Sequence, residues 1–253
     1  MPDHQRTILA ITGDDRLSFL QGLVSNDVAQ ADHGLVYAAL LSPQGKYLAD
    51  FFLLRHGDAI LLDIHADLAE SLMKRLAMYK LRAKVAIAAS DLVMSRGLGT
   101  PPPGSHPDPR HAAMGWRFYG PAALPVPAVD WDAIRVAHCI PETGIELIPD
   151  DSYILEAGFE RLHGVDFRKG CYVGQEVTAR MKHKTELRKG LGIVSVDGPA
   201  VTGTEITADG KPVGTLFTRS GDRAIAYLRF DRADGPMQAG TAGIRFLHSG
   251  EDC

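Results

Sequence analysis

The last part of the chain limits the fold most strongly. From Leu191 onward, short apolar runs alternate with glycine, proline and aspartate. Short runs bounded by such turn residues are typical of antiparallel strands, and several in succession favour a small barrel or sandwich. The predicted strands are 191–196, 205–207, 213–217, 224–228 and 243–247.

The chain before this β-rich part contains both strand and helix patterns. A strand predicted at 6–11 precedes a short helix with leucines at helical spacing. Apolar runs at 35–41 and 47–54 flank the sequence Ser-Pro-Gln-Gly at 42–45, where proline and glycine favour a turn. These segments predict a hairpin, and a further strand is expected at 59–64.

The clearest helix in the sequence is predicted to start with Asp67 as its N-cap, because an apolar stripe at helical spacing follows. Shorter helices are expected at 130–138, at 154–159 and from about Val173. The proline- and glycine-rich stretch 99–105 predicts a surface loop. The stripe of the long helix consists of Leu68, Leu72, Leu76 and Tyr79.

These patterns predict an α+β protein with two parts. At about 100 to 200 residues per domain, a chain of 253 residues has room for two. We expect a body of mixed helices and antiparallel sheets over residues 1–188, built from two interwoven subdomains. A small C-terminal β-barrel is expected over residues 189–253.

The composition excludes some classes of function. The chain has 27 basic and 31 acidic residues and a net charge of -4, so it lacks the overall positive field that favours nucleic-acid binding. No stretch approaches the about 18 apolar residues of a membrane helix, and the first residues lack the pattern of a secretory signal. Cys139, Cys171 and Cys253 match no metal-binding or disulfide spacing. A cytoplasmic protein with reduced thiols, no membrane and no nucleic acid is expected.

Cys171 is the main candidate for chemistry. Eight basic and three acidic residues lie between Arg161 and Lys189, and positive charge from Arg168 and Lys169 beside a thiol favours the reactive thiolate. Gly170 and Gly174 bracket the cysteine and permit a tight turn that presents it. The alternative is that Cys171 is a small buried hydrophobic residue, as most free cysteines are.

The residues that follow Cys171 have two interpretations each. Glu176 and Arg180 stand four residues apart on a predicted helix and are expected to brace the loop with an ion pair. Gln175 binds either a ligand or the loop backbone. Tyr172 either stacks on a flat ligand or packs in the interior.

The run Lys169-Gly170-Cys171-Tyr172-Val173-Gly174-Gln175-Glu176, followed by Ala179-Arg180, resembles the signature of the YgfZ family and its mitochondrial iron–sulfur assembly relatives. Asn26-Asp27-Val28, Pro43-Gln44-Gly45-Lys46, Arg135 and Phe167 also fit the layout of that family. The resemblance therefore extends over nearly the whole chain.

The YgfZ family is similar in fold to the T-protein of the glycine cleavage system, which binds tetrahydrofolate. The resemblance thus implies a T-protein-like body with a folate site. Asp50 corresponds to an acid near the reactive nitrogen of folate in T-proteins, whereas Ala49 replaces a second acid. Asn26 and Asp27 have the alternative of a turn role. The implied folate-binding residues are Asn26, Asp27, Asp50, Arg135, Tyr172 and Gln175.

The function implied by the resemblance is that of an accessory factor for iron–sulfur cluster assembly or maintenance. Cys171 would engage a cluster or an A-type carrier protein, and the cluster would be shared, because clusters normally take four protein ligands. One alternative is a folate-dependent aminomethyltransferase in which Asp50 is catalytic. Another is a tRNA or RNA-modification factor that uses the basic stretch 161–189 and whose affinity falls steeply with salt.

Overall fold

A computed structural model of the chain describes residues 6–183 and 187–250. Packing divides the chain into two compact units. The first unit comprises Met1–Val129 and Leu162–Glu176, and the second comprises Asp130–Arg161 and Val177–Cys253. Residues 130–161 and 177–188, which the sequence assigned to the body, therefore group with the barrel. Lys184 and Glu186, which belong to the basic stretch 161–189, and Cys253 lie outside the described residues.

The first unit is built on a five-stranded antiparallel sheet in the order β2-β3-β4-β1-β5. Two helices accompany it, α1 (Arg16–Gln21) and α2 (Ala66–Lys80). The predicted hairpin is confirmed by β2 and β3, with Gly45 at φ 75° in the turn. The strands are β1 (Arg6–Thr12), β2 (Val36–Leu41), β3 (Tyr47–His56), β4 (Ala59–His65) and β5 (Ala86–Ala89).

The two faces of this sheet are chemically different, because alternate residues of a strand point to opposite faces. One face carries apolar residues such as Phe51 and Leu62, which form the apolar core with Leu72 and Leu76 of α2. This packing confirms the apolar stripe predicted for the helix. The helix begins two residues earlier than predicted, because His65 and not Asp67 is the N-cap and accepts a hydrogen bond from the Asp67 backbone N–H at 3.3 Å.

The other face of the sheet carries a buried polar network. Asp63 of β4 accepts hydrogen bonds from Arg6 at 2.6 Å, from Arg117 at 3.0 Å and from the Tyr119 hydroxyl at 2.8 Å. Asp108 is buried against Arg117 as well, at 2.9 Å. Buried charges of this kind persist only when they are paired and hydrogen-bonded. The network joins the sheet to the arginine-bearing strand β8, described next.

A second, three-stranded antiparallel sheet in the order β6-β8-β7 completes the first unit. The strands are β6 (Val93–Gly97), β7 (His106–Pro107) and β8 (Trp116–Gly120). The predicted loop at 99–105 connects β6 to β7.

The second unit contains a closed antiparallel barrel in the order β10-β11-β12-β9-β14-β13, with β10 and β13 paired to close it. The predicted C-terminal β-barrel is therefore confirmed, although the three-residue strand β13 was not anticipated. Helix α3 (Trp131–Ala137) packs on β11. The strands are β9 (Lys189–Asp197), β10 (Glu205–Ala208), β11 (Lys211–Ser220), β12 (Arg223–Arg229), β13 (Met237–Ala239) and β14 (Ala242–Ser249).

The predicted helix at 154–159 is wrong, because this segment folds as successive turns. Gly158 has φ 76°, a left-handed conformation that interrupts an α-helix. The helix expected from Val173 is confirmed as α4 (Gln175–Lys182). No helix among the described residues is long and apolar enough to cross a membrane.

Candidate functional site

Cys171 lies at the surface of the first unit with a free thiol. Gly170 beside it is exposed as well, whereas Lys169 and Tyr172 on either side of this pair are buried. We call residues 169–174 the Cys171 loop. The alternative reading of Cys171 as a small buried hydrophobic residue is thus wrong, and it applies instead to Cys139, which is buried in the second unit.

Lys169 anchors the Cys171 loop. Its ammonium donates hydrogen bonds to the carbonyl oxygens of Gln21, at 2.7 Å, and of Val24. Gln21 is the last residue of α1, so a positive charge stands where the helix leaves its carbonyls unpaired. Burial lowers the pKa of Lys169 to about 8, although Asp27 and Asp166 oppose this shift. Two donors of Lys169 are thus directed to the end of α1, and its predicted effect on the thiol stays a prediction.

Gly174 is needed by close packing. Its φ is 83°, and a Cβ atom at this position would lie 2.6 Å from the Ser42 carbonyl oxygen and 2.9 Å from Leu41 Cβ. Real Cβ atoms do not approach backbone so closely, so the end of the Cys171 loop rests on the β2–β3 turn only because residue 174 has no side chain. Gly170 differs, since nothing lies within 4 Å of its Cβ position. Of the two glycines that bracket Cys171, packing within the chain therefore requires a glycine at position 174 and not at position 170.

Ser25 ties the segment that precedes the Cys171 loop to the sheet. Its hydroxyl donates to the Gly164 carbonyl oxygen at 2.6 Å and accepts from the Ala39 N–H at 2.8 Å. The Ser25 carbonyl oxygen accepts from the Asp166 N–H at 3.1 Å. Sequence reasoning missed this buried serine, because its partners are up to 141 residues away and leave no local signal.

Asn26 and Asp27 make hydrogen bonds within the first unit. Asn26 Nδ2 donates to the carbonyl oxygens of Tyr37, at 2.8 Å, and His163, at 2.7 Å. Asp27 Oδ1 accepts from Gln21 Nε2 at 3.0 Å. These contacts connect the end of α1, strand β2 and the chain that leads into the Cys171 loop.

Asp50 is buried on the polar face of the sheet between two tyrosines. Its carboxylate accepts hydrogen bonds from the hydroxyls of Tyr37, at 2.9 Å, and Tyr47, at 2.7 Å. Burial, followed by the charge of Asp50, raises the pKa of Tyr37 well above its ordinary value. Tyr37 therefore stays a neutral donor, and the arrangement holds the carboxylate in a fixed orientation inside the unit.

The residues after Cys171 are placed by the start of α4. The backbone N–H of Gln175, the first helical residue, donates to the Tyr172 carbonyl oxygen at 3.2 Å. The Tyr172 ring is buried, and Lys169 Nζ lies 5.0 Å from its centroid. This burial matches the prediction that Tyr172 packs in the interior. Glu176 in the first turn and Arg180 in the last turn are exposed and complement the helix dipole.

Arg135 belongs to the second unit and is buried there. Its guanidinium donates to Asp132 at 2.8 Å, to the Ile140 carbonyl oxygen at 3.1 Å, to the Thr218 hydroxyl at 3.1 Å and to Glu146. These bonds hold α3 against β11. The arginine therefore stabilises its own unit with most of its donors.

Tetrahydrofolate is the ligand that the resemblance implies for this fold. The side-chain groups of Asn26, Asp50 and Arg135 make hydrogen bonds within the protein, as described above. Asp27 also has an internal partner. The assignment of folate ligands consequently stays a prediction, and no chemical step is derived from it.

Several basic side chains among the described residues of the stretch 161–189 have partners in their own unit. Arg161 donates to the carbonyl oxygens of His138 and Cys139, at 3.2 and 2.8 Å, and Lys182 pairs with Glu160. Lys189 lies 3.7 Å from Glu156, and Lys169 is buried in the first unit. Lys182 and Lys189 are therefore paired with acids, whereas Arg161 and Lys169 use their donors on backbone carbonyls.

Cys171 belongs to no metal-binding group of three or more ligand side chains within the part of the chain that the structure describes. Among residues 6–183 and 187–250, no three histidine, cysteine, aspartate or glutamate side chains are arranged to hold a metal ion. A cavity of about 690 Å³ lies in the second unit beside Cys139 and is also lined by Phe230, Phe246 and Arg161. The predicted folate-binding residues do not line this cavity.

The fold is that of the glycine cleavage T-protein. The structure superimposes on the glycine cleavage system aminomethyltransferase T from Bartonella henselae with a TM-score of 0.76 and 14% sequence identity, over 97% of this chain and 83% of that one. At this identity the likeness concerns the fold alone. The family described as the CAF17 C-terminal beta-barrel domain matches residues 188–248, the barrel region. The predicted α+β, T-protein-like fold is confirmed.

Sequence relatives identify the family. The chain is 30% identical to the mitochondrial iron–sulfur cluster assembly factor IBA57 of Mus musculus, over 94% of this chain and 79% of the relative. It is 33% identical to the IBA57 homologue of Mycosarcoma maydis, over 97% and 68%, and 30% identical to human IBA57, over 92% and 78%. The chain belongs to the IBA57 family of iron–sulfur cluster assembly factors, in agreement with the YgfZ-type signature around Cys171.

The expected cytoplasmic location is contradicted by these comparisons. The mouse, fungal and human relatives are all described as mitochondrial. Charge, hydropathy and cysteine spacing therefore did not predict the compartment correctly.

Proposed function

We propose that the chain acts in iron–sulfur cluster assembly and that Cys171 engages a cluster shared with an A-type carrier protein. The observation that carries the proposal is the free, exposed thiol on a loop whose two ends are anchored by Lys169 and Gly174. Membership of the IBA57 family supports the assembly role.

The chemistry of the site suits this role. Cysteine thiolates are the usual ligands of iron–sulfur clusters, which normally take four of them. Cys171 supplies one ligand from a surface position, so a partner has to supply the others. The anchored loop reduces the conformational freedom that is lost when the complex forms.

The test is anaerobic reconstitution of the full chain with an A-type carrier, followed by size exclusion and visible spectroscopy. Cys171→Ala is expected to abolish the spectral change that the wild-type chain causes in the carrier's cluster. Cys139→Ala is the matched control, because it removes a buried sulfur from the second unit. An unchanged complex and spectrum in Cys171→Ala would contradict the proposal.

Tetrahydrofolate binding is proposed as a second, separable property. It is supported by the T-protein-like fold and by the family signature. The hydrogen bonds of Asn26 and Asp50 within the protein do not add to this support. Calorimetric titration of the reduced chain with tetrahydrofolate tests it, with Asp50→Asn as the variant. Absence of binding in the wild type would remove this property and leave the role of Cys171 untouched.

A further inference from the structure

A concentration of positive charge lies where α2 ends and the chain enters β5. Residues 71–90 include five basic residues and no acidic one, in a chain of net charge -4. Lys74 pairs with Glu70 at 2.5 Å, and Lys84 lies 4.0 Å from Asp14. The other three form no ion pair with any residue in 6–183 or 187–250, and they are Arg75, Lys80 and Arg82.

Two large apolar side chains project into solvent within this basic segment. Met78 is 67% exposed and Leu81 is 89% exposed. Leu81 also has φ 42° and ψ -105°, a backbone conformation that is strained for a residue with a branched side chain. Packing within the unit does not compensate for this strain, since the side chain contacts little. Strained backbone and exposed apolar groups both occur preferentially at binding surfaces.

The turn that carries Leu81 is held firmly. The Lys84 N–H donates to the Asp15 carboxylate at 2.7 Å, and the Lys84 carbonyl oxygen accepts from the Asp15 N–H at 3.4 Å. Gly13 packs so closely that a Cβ there would lie 2.1 Å from the same carbonyl oxygen. The exposure of Leu81 is thus built into an anchored turn.

The strand that follows is an open sheet edge. β5 is the last strand of its sheet and pairs with β1 alone among the described strands. The Ser90 N–H donates to the Ile8 carbonyl oxygen, and in an antiparallel ladder such inward bonds recur at every second residue. The backbone groups of Ile87 and Ala89 consequently point away from β1. Open edges of this kind accept strands from other polypeptides.

We propose that this surface binds an extended acidic segment of a partner protein, which adds to β5 as a further strand. We call it the β5 edge, defined by Arg75, Met78, Leu81, Arg82 and Ala86–Ala89. The outward backbone groups give main-chain hydrogen bonds, the unpaired cations attract acidic side chains, and Met78 and Leu81 contact alternate apolar ones.

Other occupants fit this surface less well. A second copy of the chain would bring like charges together, which opposes pairing of two β5 edges. A membrane needs a broad apolar face, whereas the apolar stripe of α2 is buried in the core. Single-stranded nucleic acid binds through stacked aromatic rings, and Tyr79, the aromatic residue of this segment, is half-buried.

The first experiment measures binding of a fluorescein-labelled peptide of alternating valine and glutamate to the full chain by anisotropy. The double variant Arg75→Glu/Arg82→Glu is expected to weaken binding by about tenfold or more, because two attractive charges become repulsive. The matched control is Lys211→Glu/Arg223→Glu, which makes the same charge change at exposed positions of the barrel and is expected to change affinity by less than about twofold. Equal losses in both variants would overturn the proposal.

The second experiment tests strand addition itself. Ala89→Pro removes an outward N–H while the inward bonds of β5 remain, and Leu81→Asn removes the apolar contact in a residue that tolerates positive φ. Both variants are expected to weaken binding of the peptide, while circular dichroism shows that the fold is intact. Unchanged affinity, or no binding by the wild type, would overturn the proposal. Binding of phosphatidylserine vesicles or of poly(U), lost in these variants while the peptide does not bind, would show that the partner class is wrong.

This inference does not depend on Cys171. Cys171→Ala is expected to bind the acidic peptide as the wild type does, since the β5 edge uses none of the Cys171 loop. The failure of one proposal therefore leaves the other testable.

Discussion

The segments around Cys171 and Cys139 use the same kind of anchor and give opposite results. In each, a basic side chain donates to two backbone carbonyls: Lys169 to those of Gln21 and Val24, and Arg161 to those of His138 and Cys139. Lys169 is itself part of the cysteine loop, so its own burial leaves the thiol outside. Arg161 instead binds the carbonyl of the cysteine from outside the turn, and the sulfur is buried. The two cysteines therefore differ in exposure, although a basic side chain bonds backbone carbonyls in both segments.

The largest expected effect is a difference in thiol reactivity. In a Cys253→Ser background, Cys171 is expected to react with a disulfide reagent at once, whereas Cys139 reacts only after unfolding. With a typical stability of about 5 kcal/mol or more, this predicts a rate ratio of at least about 1,000. Mass spectrometry of timed samples measures both sites. Comparable modification rates at Cys171 and Cys139 would contradict the difference in exposure.

The next largest effect concerns the glycines that bracket Cys171. Gly174→Ala introduces a Cβ against Ser42 and Leu41 at positive φ and is expected to destabilise the chain by about 2 to 4 kcal/mol. Urea unfolding measures the change. Gly170→Ala is the control, and it is expected to change stability by less than about 0.5 kcal/mol, because nothing lies near the added methyl group.

A smaller effect is expected from the anchor itself. Lys169→Met leaves the Gln21 and Val24 carbonyls without the ammonium donor, which is expected to cost about 1 to 2 kcal/mol. Amide hydrogen exchange in residues 169–174 should accelerate. Arg161→Met is the matched variant, and it should instead increase the reactivity of Cys139. Unchanged exchange in Lys169→Met would show that the lysine does not hold the loop.

The last expected effect is a pH dependence. Burial lowers the pKa of Lys169 from 10.5 to about 8 in the folded chain. Between these values the unfolded chain binds more protons than the folded one, so this residue makes stability rise with pH in that window. The free energy of unfolding of the wild type relative to Lys169→Met, followed from pH 7 to pH 10.5, should therefore increase. A constant difference would contradict the shift.

Much of the fold could be predicted from local patterns. The β2–β3 hairpin, the stripe of α2 and most strands of the barrel follow from periodicity and turn residues, which act over a few positions. The helix at 154–159 was predicted wrongly, because Gly158 adopts a left-handed conformation that the apolar run does not reveal. The grouping of α3 with the barrel depends on Arg135, Glu146 and Thr218, which are far apart in the chain.

The candidate site was predicted in its centre and not in its supports. Cys171 was identified from its glycine-flanked, basic surroundings and its signature. Ser25 and Asn26 were not recognised as ties, because their hydrogen bonds reach residues 163–166. The sequence shows that Lys169 lies close to Cys171 along the chain, but it does not show the direction of the lysine side chain. In the structure its ammonium bonds the carbonyls at the end of α1.

The sequence by itself determined the α+β class, the terminal barrel and the choice of Cys171 as the candidate residue, because these depend on short-range periodicity and on residue chemistry. Only the tertiary structure decided that Lys169 turns inward, that Gly174 and not Gly170 is sterically required, and that an open edge remains at β5. Each of these depends on contacts between residues distant in the chain, where the direction of a side chain or strand is set by packing.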